Sequence, residues 1–104
     1  MSALWIANIS VSDPVAFAEY SKRAGPAISS HGGEFLARGG ACVQLEGKAW
    51  PRNVVVRFES IAAAEACYHS KEYQEAISYA RGASERQLVV VEECYQETPS
   101  QKDD

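Results

Sequence analysis

Apolar residues recur along the chain at two spacings, alternating and helical, and these spacings divide it into strands and helices. Residues 3–11 are apolar on both alternating sets, which is typical of a strand covered on both faces. Asp13 predicts a helix start because an aspartate can accept hydrogen bonds from free backbone N–H groups, and apolar residues from Phe17 to Ile28 follow at helical spacing. The next predicted elements are two strands, at 34–46 and 54–60. Ser60 predicts the cap of a second helix that starts at Ile61, Ser70 predicts the cap of another, and a last strand is predicted at 86–95.

The order of these elements predicts the fold. The sequence β-α-β-β-α-β is the split unit of a ferredoxin-like sandwich, an α+β fold in which helices cover one face of an antiparallel sheet. Such a sheet usually has the strand order four, one, three, two. We predict a single domain over residues 1–95, followed by a polar, aperiodic and disordered tail at 96–104.

The sheet is predicted to carry apolar residues on the face opposite the helices, which we call the outer face. Strand alternation assigns five such residues to it: Leu4, Ile6, Val55, Leu88 and Val90. Monomeric proteins rarely expose an apolar patch of this size. We therefore predict a homodimer in which a second copy of the chain covers the outer face.

Two glycine pairs raise the question of phosphate binding. A dinucleotide fingerprint has its glycines after a strand and before a helix, whereas Gly32–Gly33 follow the predicted helix and precede a strand. We interpret this pair as a helix cap, and Gly39–Gly40 as a bulge or bend in the strand 34–46. Gly25–Pro26 is predicted to bend or interrupt the first helix, because proline has no N–H to donate.

Composition and charge narrow the classes of partner. The 104-residue chain has a formal net charge of −4 and no cluster of lysine and arginine, so we expect it to bind neither nucleic acid nor a membrane surface. It has no apolar run near the roughly 20 residues of a bilayer span and no signal-peptide pattern, which predicts a cytoplasmic protein. Neither its histidines nor Cys42, Cys67 and Cys94 have metal-ligand spacing. We predict no metal and no cofactor, and interpret the cysteines as buried apolar side chains.

Several segments resemble one known family. They are "SDP" with Tyr20, "HGGEFLARGG" with "LEG", "WPRNVVVRFES" and "CYHSKEYQ", and the match runs from about Trp5 to Glu92. Together they resemble the bacterial domain of unknown function 1330, which is grouped with the dimeric alpha-beta barrels. The resemblance implies a ferredoxin-like protomer that pairs its sheet with a second chain and leaves a small cavity between sheet and partner. It implies no established reaction, and this family often has an aromatic ring where His31 stands.

Polar residues that interrupt the predicted outer face are the first candidates for a ligand pocket. Asn8, Arg57 and Glu92 share the alternation of its apolar residues, and an arginine beside an acid and an amide can clamp a carboxylate or polarise a carbonyl. The alternative is a structural ion pair between Arg57 and Glu92. Arg38 is a further candidate whose direction the following glycines leave open. His31, near a helix C-terminus, is interpreted as a capping cation rather than a general acid.

Two functions remain open on these observations. The first is an enzyme-like, metal-free pocket between the sheet and its dimer partner, for a small anionic or aromatic metabolite. The alternative is a non-catalytic dimeric module that binds a metabolite or has a structural role. A third interpretation, haem binding through His31, rests on a single histidine.

Overall fold

The computed structural model describes residues 1–94, so the tail predicted at 96–104 lies outside the described part of the chain. Seven elements follow one another: β1 (Ala3–Val11), α1 (Pro14–Ser30), β2 (Glu34–Arg38), β3 (Arg52–Phe58), α2 (Ile61–Tyr68), α3 (Lys71–Ala80) and β4 (Ser84–Glu92). The two helices predicted after Ser60 and Ser70 are both present, and these serines are their N-caps. Within residues 1–94, none of the helices combines the length and the apolar character needed to cross a bilayer.

The four strands form one antiparallel sheet in the order β2-β3-β1-β4, and the helices cover one of its faces. This confirms the ferredoxin-like fold and the predicted strand order. The core lies between sheet and helices and is centred on Trp5, which is 1% exposed. Its ring stacks edge-on against Tyr73 of α3, with 5.2 Å between centroids, and packs against Phe58 of β3 at 5.5 Å.

Helix α1 begins and ends where its local chemistry predicts. The Asp13 side chain accepts a hydrogen bond from the Ala16 N–H at 3.2 Å. At the other end Gly32 has φ +83°, the left-handed conformation that glycine adopts at little cost. The helix continues through Pro26 to Ser30, so the predicted interruption is wrong. Burial of Ile28 in the last turn outweighs the single hydrogen bond that the proline removes.

Strand β2 is shorter than its sequence pattern indicates. It ends at Arg38, and Gly39 follows with φ +76° and donates its N–H to the Asn53 carbonyl at 2.9 Å. The bulge lies earlier, between Phe35 and Ala37, rather than at the glycine pair. Residues 40–49 form an exposed segment outside the sheet, which we call the arm. Its alternating apolar pattern resembles a strand, but no strand of the described chain pairs with it.

The register of β4 decides which residues lie on the outer face. Trp5 of β1 is opposite Val90, and Ile6 is opposite Val89. Directly opposed residues of an antiparallel pair share a face, so Val90 lies on the helix side with Trp5, and Val89 lies on the outer face. The predicted alternation of β4 is wrong by one residue. The apolar centre of the outer face consists of Leu4, Ile6, Val55, Val89 and Val91.

Candidate functional site

One end of the outer face carries a bidentate ion pair. Arg57 donates from Nε and Nη2 to the two carboxylate oxygens of Glu93, at 2.8 and 3.0 Å. The same carboxylate accepts a hydrogen bond from the Ser2 hydroxyl. The hydrogen bond from Arg57, followed by that from Ser2, lowers the pKa of Glu93 to about 2. The Nε–Nη2 edge of the guanidinium is therefore engaged by a carboxylate of its own chain.

Glu92, the predicted partner of Arg57, lies on the other side of β4. It is opposite Ala3, which faces the helices, and the acid that reaches Arg57 is the next residue, Glu93. The prediction is wrong because the apolar run from Leu88 to Val91 occupies both alternating sets. In such a run the pattern does not distinguish one face from the other.

The opposite end of the outer face carries three amides. Asn8 donates to the Asn53 Oδ1 at 2.7 Å, and Gln87 donates to the Asn8 Oδ1 at 3.0 Å. Asn8 is four residues along β1 from Leu4, which is opposite Arg57, so roughly 13 Å of strand separates the amides from the ion pair. Asn8, Arg57 and Glu92 thus do not converge on one pocket.

A second site lies on the helix side, between α1 and the ends of three strands. Arg38 of β2 is opposite Val54, and Arg52 of β3 and Arg86 of β4 both lie opposite Ile9, one on each side of β1. Residues opposite buried ones face the helices, so Arg38 points away from the outer face. We call the opening between α1 and the sheet the arginine cleft, lined by Phe17, Tyr20, Gly25, Phe35, Arg38 and Arg52.

Each guanidinium of this region lies against an aromatic ring. The Cζ atom of Arg38 is 4.0 Å from the ring centroid of Phe35, and that of Arg52 is 5.6 Å from the ring of Phe17. Arg86 lies 4.9 Å over the Tyr20 ring. Within residues 1–94, none of the three arginines has a carboxylate within 4.0 Å.

Tyr20 connects the cleft to a buried hydrogen-bond chain. Arg86 donates to the Tyr73 hydroxyl at 3.0 Å, and the hydroxyls of Tyr73 and Tyr20 are 2.7 Å apart. Burial raises the pKa of Tyr73 far above its ordinary value, so Tyr73 stays protonated. The Tyr73 oxygen accepts from Arg86, and either tyrosine hydroxyl can donate to the other.

His31 lies in neither site. It is the C-cap residue of α1, and its Nδ1 is 3.0 Å from the carbonyl oxygen of Ala27. A ring N–H at this position donates to a carbonyl of the last helical turns, which also accepts from the Ser30 hydroxyl at 2.9 Å. The capping interpretation therefore agrees with the observed contact.

The family is decided by one match over nearly the whole described chain. Residues 2–94 match the family described as domain of unknown function (DUF1330). The chain belongs to this family. The resemblance of its motifs is thereby confirmed, and the DUF1330 family brings no established reaction with it.

Solved structures share the fold of this DUF1330 member. A protein of unknown function from Rhodopseudomonas palustris has a TM-score of 0.74 at 18% identity, over 91% of this chain and 84% of that chain. SnoaB, a cofactor-independent oxygenase from Streptomyces nogalater, has a TM-score of 0.62 at 13% identity, over 94% and 97%. A dimeric ferredoxin-like protein of unknown function from Bacteroides fragilis has a TM-score of 0.61 at 12% identity, over 88% and 95%. A comparison with curated proteins gave no match. At these identities the similarity establishes the fold alone.

The cysteines differ from the prediction for this DUF1330 chain. Cys67 is buried, and burial raises its pKa to about 11. Cys42 and Cys94 are exposed, so their interpretation as core residues is wrong. Within residues 1–94, no three histidine, cysteine, aspartate or glutamate side chains are grouped closely enough to hold a metal ion.

Sequence reasoning missed Arg52, Arg86 and Glu93. For Arg52 a signal was present, because it shares the alternation of the three buried residues of β3, Val54, Val56 and Phe58. Arg86 and Glu93 were hidden by the one-residue error in β4, which exchanged the two faces of that strand.

Proposed function

We propose that the protein works as a homodimer joined through the outer faces of its sheets, and that each protomer binds a small organic molecule in its arginine cleft. One contrast carries this proposal. On the outer face the three amides bond to one another and Arg57 bonds to Glu93, whereas the arginines of the cleft have no carboxylate partner in the described chain. A face whose polar groups are satisfied and whose centre is apolar suits an interface better than a ligand site.

The exposure of the outer face supports the dimer. Val89 and Val91 are 55% and 47% exposed at its centre. Each apolar side chain of this size contributes about 1.5–3 kcal/mol when it is fully buried, so covering the five central residues favours association. The Bacteroides fragilis protein with the same fold is described as dimeric, which agrees with this proposal.

The arm extends the apolar surface beside the outer face. Lys48 of the arm bonds to Glu85 of β4 at 2.7 Å, and Glu85 is opposite Ser10 on the outer-face alternation. Val43 and Leu45 project from the same segment and are exposed. In the proposed dimer they add apolar contacts at the edge of the interface.

Light scattering after size-exclusion chromatography tests the dimer. At micromolar concentration we expect twice the 11.3 kDa mass of the chain for the wild type, and the monomer mass for Val89→Arg, because a charge at the centre of the interface has no partner. Val15→Arg is the matched control, since Val15 is an exposed valine of α1 on the opposite side of the molecule, and we expect it to remain a dimer. A monomeric wild type, or a dimeric Val89→Arg, would refute the interface.

Catalysis is the second candidate function for the cleft. The observation that favours it is the hydrogen-bond chain from Arg86 through Tyr73 to Tyr20, because Tyr20 lines the cleft and a tyrosine hydroxyl can transfer a proton. It requires no metal, and SnoaB, which shares the fold, is described as cofactor-independent. Mass spectrometry of a bound compound before and after incubation separates the two roles: an unchanged compound indicates a binding module, and a new product indicates an enzyme.

We place this function in the cytoplasm. Cys42 and Cys94 are exposed free thiols, which fits a reducing compartment better than an oxidising one. The net charge of −4 supports a small molecule, rather than nucleic acid, as the ligand.

A further inference from the structure

We infer that the arginine cleft recognises a carboxylate attached to an aromatic or other apolar body, and that Arg38 and Arg52 bind the carboxylate. This inference rests on the proposed function in taking the cleft as the ligand site, and it adds the chemical class of the ligand. It does not depend on the dimer.

The charges of the cleft are the first argument. The chain has 14 acidic residues against 10 lysines and arginines, so an arginine without an acid is not a consequence of composition. Elsewhere in the described chain Lys22, Arg23, Lys48 and Arg57 each have a carboxylate within 4.0 Å, whereas Lys71 and Arg81 lie exposed to solvent without one. The guanidiniums of Arg38 and Arg52 line one opening without such a partner. Their like charges repel each other, and a bound anion offsets this repulsion.

An unpartnered buried atom is the second argument. Among the described residues, the Nε of Arg52, like the Nη1 of Arg86, is buried and has no hydrogen-bond partner. Buried polar atoms are nearly always satisfied, so the Arg52 donor indicates an acceptor outside the described chain, a water or a ligand oxygen. A carboxylate has two oxygens and matches the planar fork of a guanidinium.

Two glycines make room for the two guanidiniums. A Cβ atom at Gly25 would lie 2.8 Å from the Nη2 of Arg38, and one at Gly39 would collide with the Nη1 of Arg52. Gly25 is inside α1, where glycine is the least favourable residue after proline. Glycine at this position lowers the stability of the helix, and the absence of a side chain lets the Arg38 guanidinium lie close against α1.

The size of the cleft sets where the ligand lies. Its enclosed part is about 30 Å³, which is room for one water molecule, and its empty space including the open mouth is about 350 Å³. A carboxylate fits at the mouth beside Arg38, which is exposed while its guanidinium lies over the Phe35 ring. The apolar body then contacts Phe35, the aromatic ring of the cleft that is not fully buried.

Calorimetric titration with benzoate and phenylacetate tests the inference. Benzamide is the neutral analogue of benzoate, and inorganic phosphate tests for a general anion site. We expect the two acids to bind at roughly millimolar concentration or more tightly, and benzamide to bind at least about tenfold more weakly, because it lacks the charge that the guanidiniums recognise. Arg38→Met and Arg52→Met should each weaken benzoate binding by about tenfold to a hundredfold. Arg81→Met, at an exposed arginine outside the cleft, should leave binding unchanged.

Gly25→Ala tests the inference with an expected result that differs from that of a variant that fails to fold. The added methyl group displaces the Arg38 guanidinium, whereas alanine favours the helix. We therefore expect weaker benzoate binding together with an unchanged or higher melting temperature.

The outcomes separate the ligand class from the proposed function. If benzamide binds as tightly as benzoate, or if both arginine variants bind benzoate like the wild type, the carboxylate assignment is wrong while the cleft remains a ligand site. If phosphate binds and the carboxylates do not, the ligand is a different anion and the inference is overturned. If none of the four probes binds, the ligand class and the cleft as a binding site are both rejected.

Discussion

The side chain of Glu93 decides whether Arg57 serves as a ligand clamp or makes a structural contact. Their bidentate geometry uses the donors that a ligand would need. The side chain of Arg57 is 43% exposed and that of Glu93 is 17% exposed, so the protomer leaves this pair within reach of solvent. Such a pair contributes little to stability, because water screens its charges.

The Arg57–Glu93 pair predicts that the stability of the protein depends on pH. The folded pKa of Glu93, about 2, is below its ordinary value of 4.5, so the folded state binds this proton more weakly than the unfolded state. Its contribution to stability is therefore complete above about pH 4.5 and is lost as the pH falls towards 2. At neutral pH, Glu93→Gln should have a slightly lower melting temperature than the wild type. Between neutral pH and pH 3, the melting temperature of Glu93→Gln should then fall less than that of the wild type. Parallel curves would contradict the assignment.

The turn between α1 and β2 shows how packing selects a residue where two elements meet. Gly32 supplies the left-handed conformation, and the N–H of Gly33 donates to the Ile28 carbonyl at 2.9 Å. A Cβ at Gly33 would lie 2.9 Å from side-chain carbons of both Val56 and Phe58. The two glycines of this pair therefore have different roles, conformation for the first and space for the second.

This turn gives a prediction with an internal control. Gly33→Ala should destabilise the protein by about 1–3 kcal/mol, because the core must move to admit a methyl group. Gly40→Ala should change the stability little, since no atom lies within 4 Å of its added Cβ. Urea denaturation measures both. An equal effect of the two substitutions would show that the contact at Gly33 does not limit the packing.

The arm and the outer face together indicate how the molecule assembles. Both are apolar, both are uncovered in the protomer, and the Lys48–Glu85 bond holds the arm beside β4. An arm that adds contacts across a twofold interface makes folding stability depend on association, and hence on protein concentration.

The proposed assembly predicts that the melting temperature of the wild type rises with protein concentration. Leu45→Asp should lower it most in dilute solution, because the charge weakens the contact of the arm with the second copy. Val15→Asp, at an exposed position of α1, should follow the wild-type curve. Differential scanning calorimetry at several concentrations provides the comparison. The role of the arm would be contradicted if the melting temperature of the wild type did not change with protein concentration. It would also be contradicted if Leu45→Asp had the same melting temperature as the wild type at every concentration.

Local signals predicted the elements of this chain well. The bounds of β1 and the cap at Asp13 follow from residues that act on their immediate neighbours, and so does the left-handed Gly32. The α+β order and the family could likewise be predicted from the sequence, because both depend on which elements and motifs are present and in what order. The interruption expected at Pro26 failed, since burial of the following turn is a tertiary effect.

The positions of the candidate residues depended on contacts that no local pattern contains. An apolar run such as that from Leu88 to Val91 is compatible with either face, and only pairing with β1 sends Val89 outward and brings Glu93 to Arg57. The bulge in β2 likewise directs Arg38 to the helix side. Local chemistry therefore specified which elements form and in what order. Strand register, a property of two segments at once, decided which side chains meet.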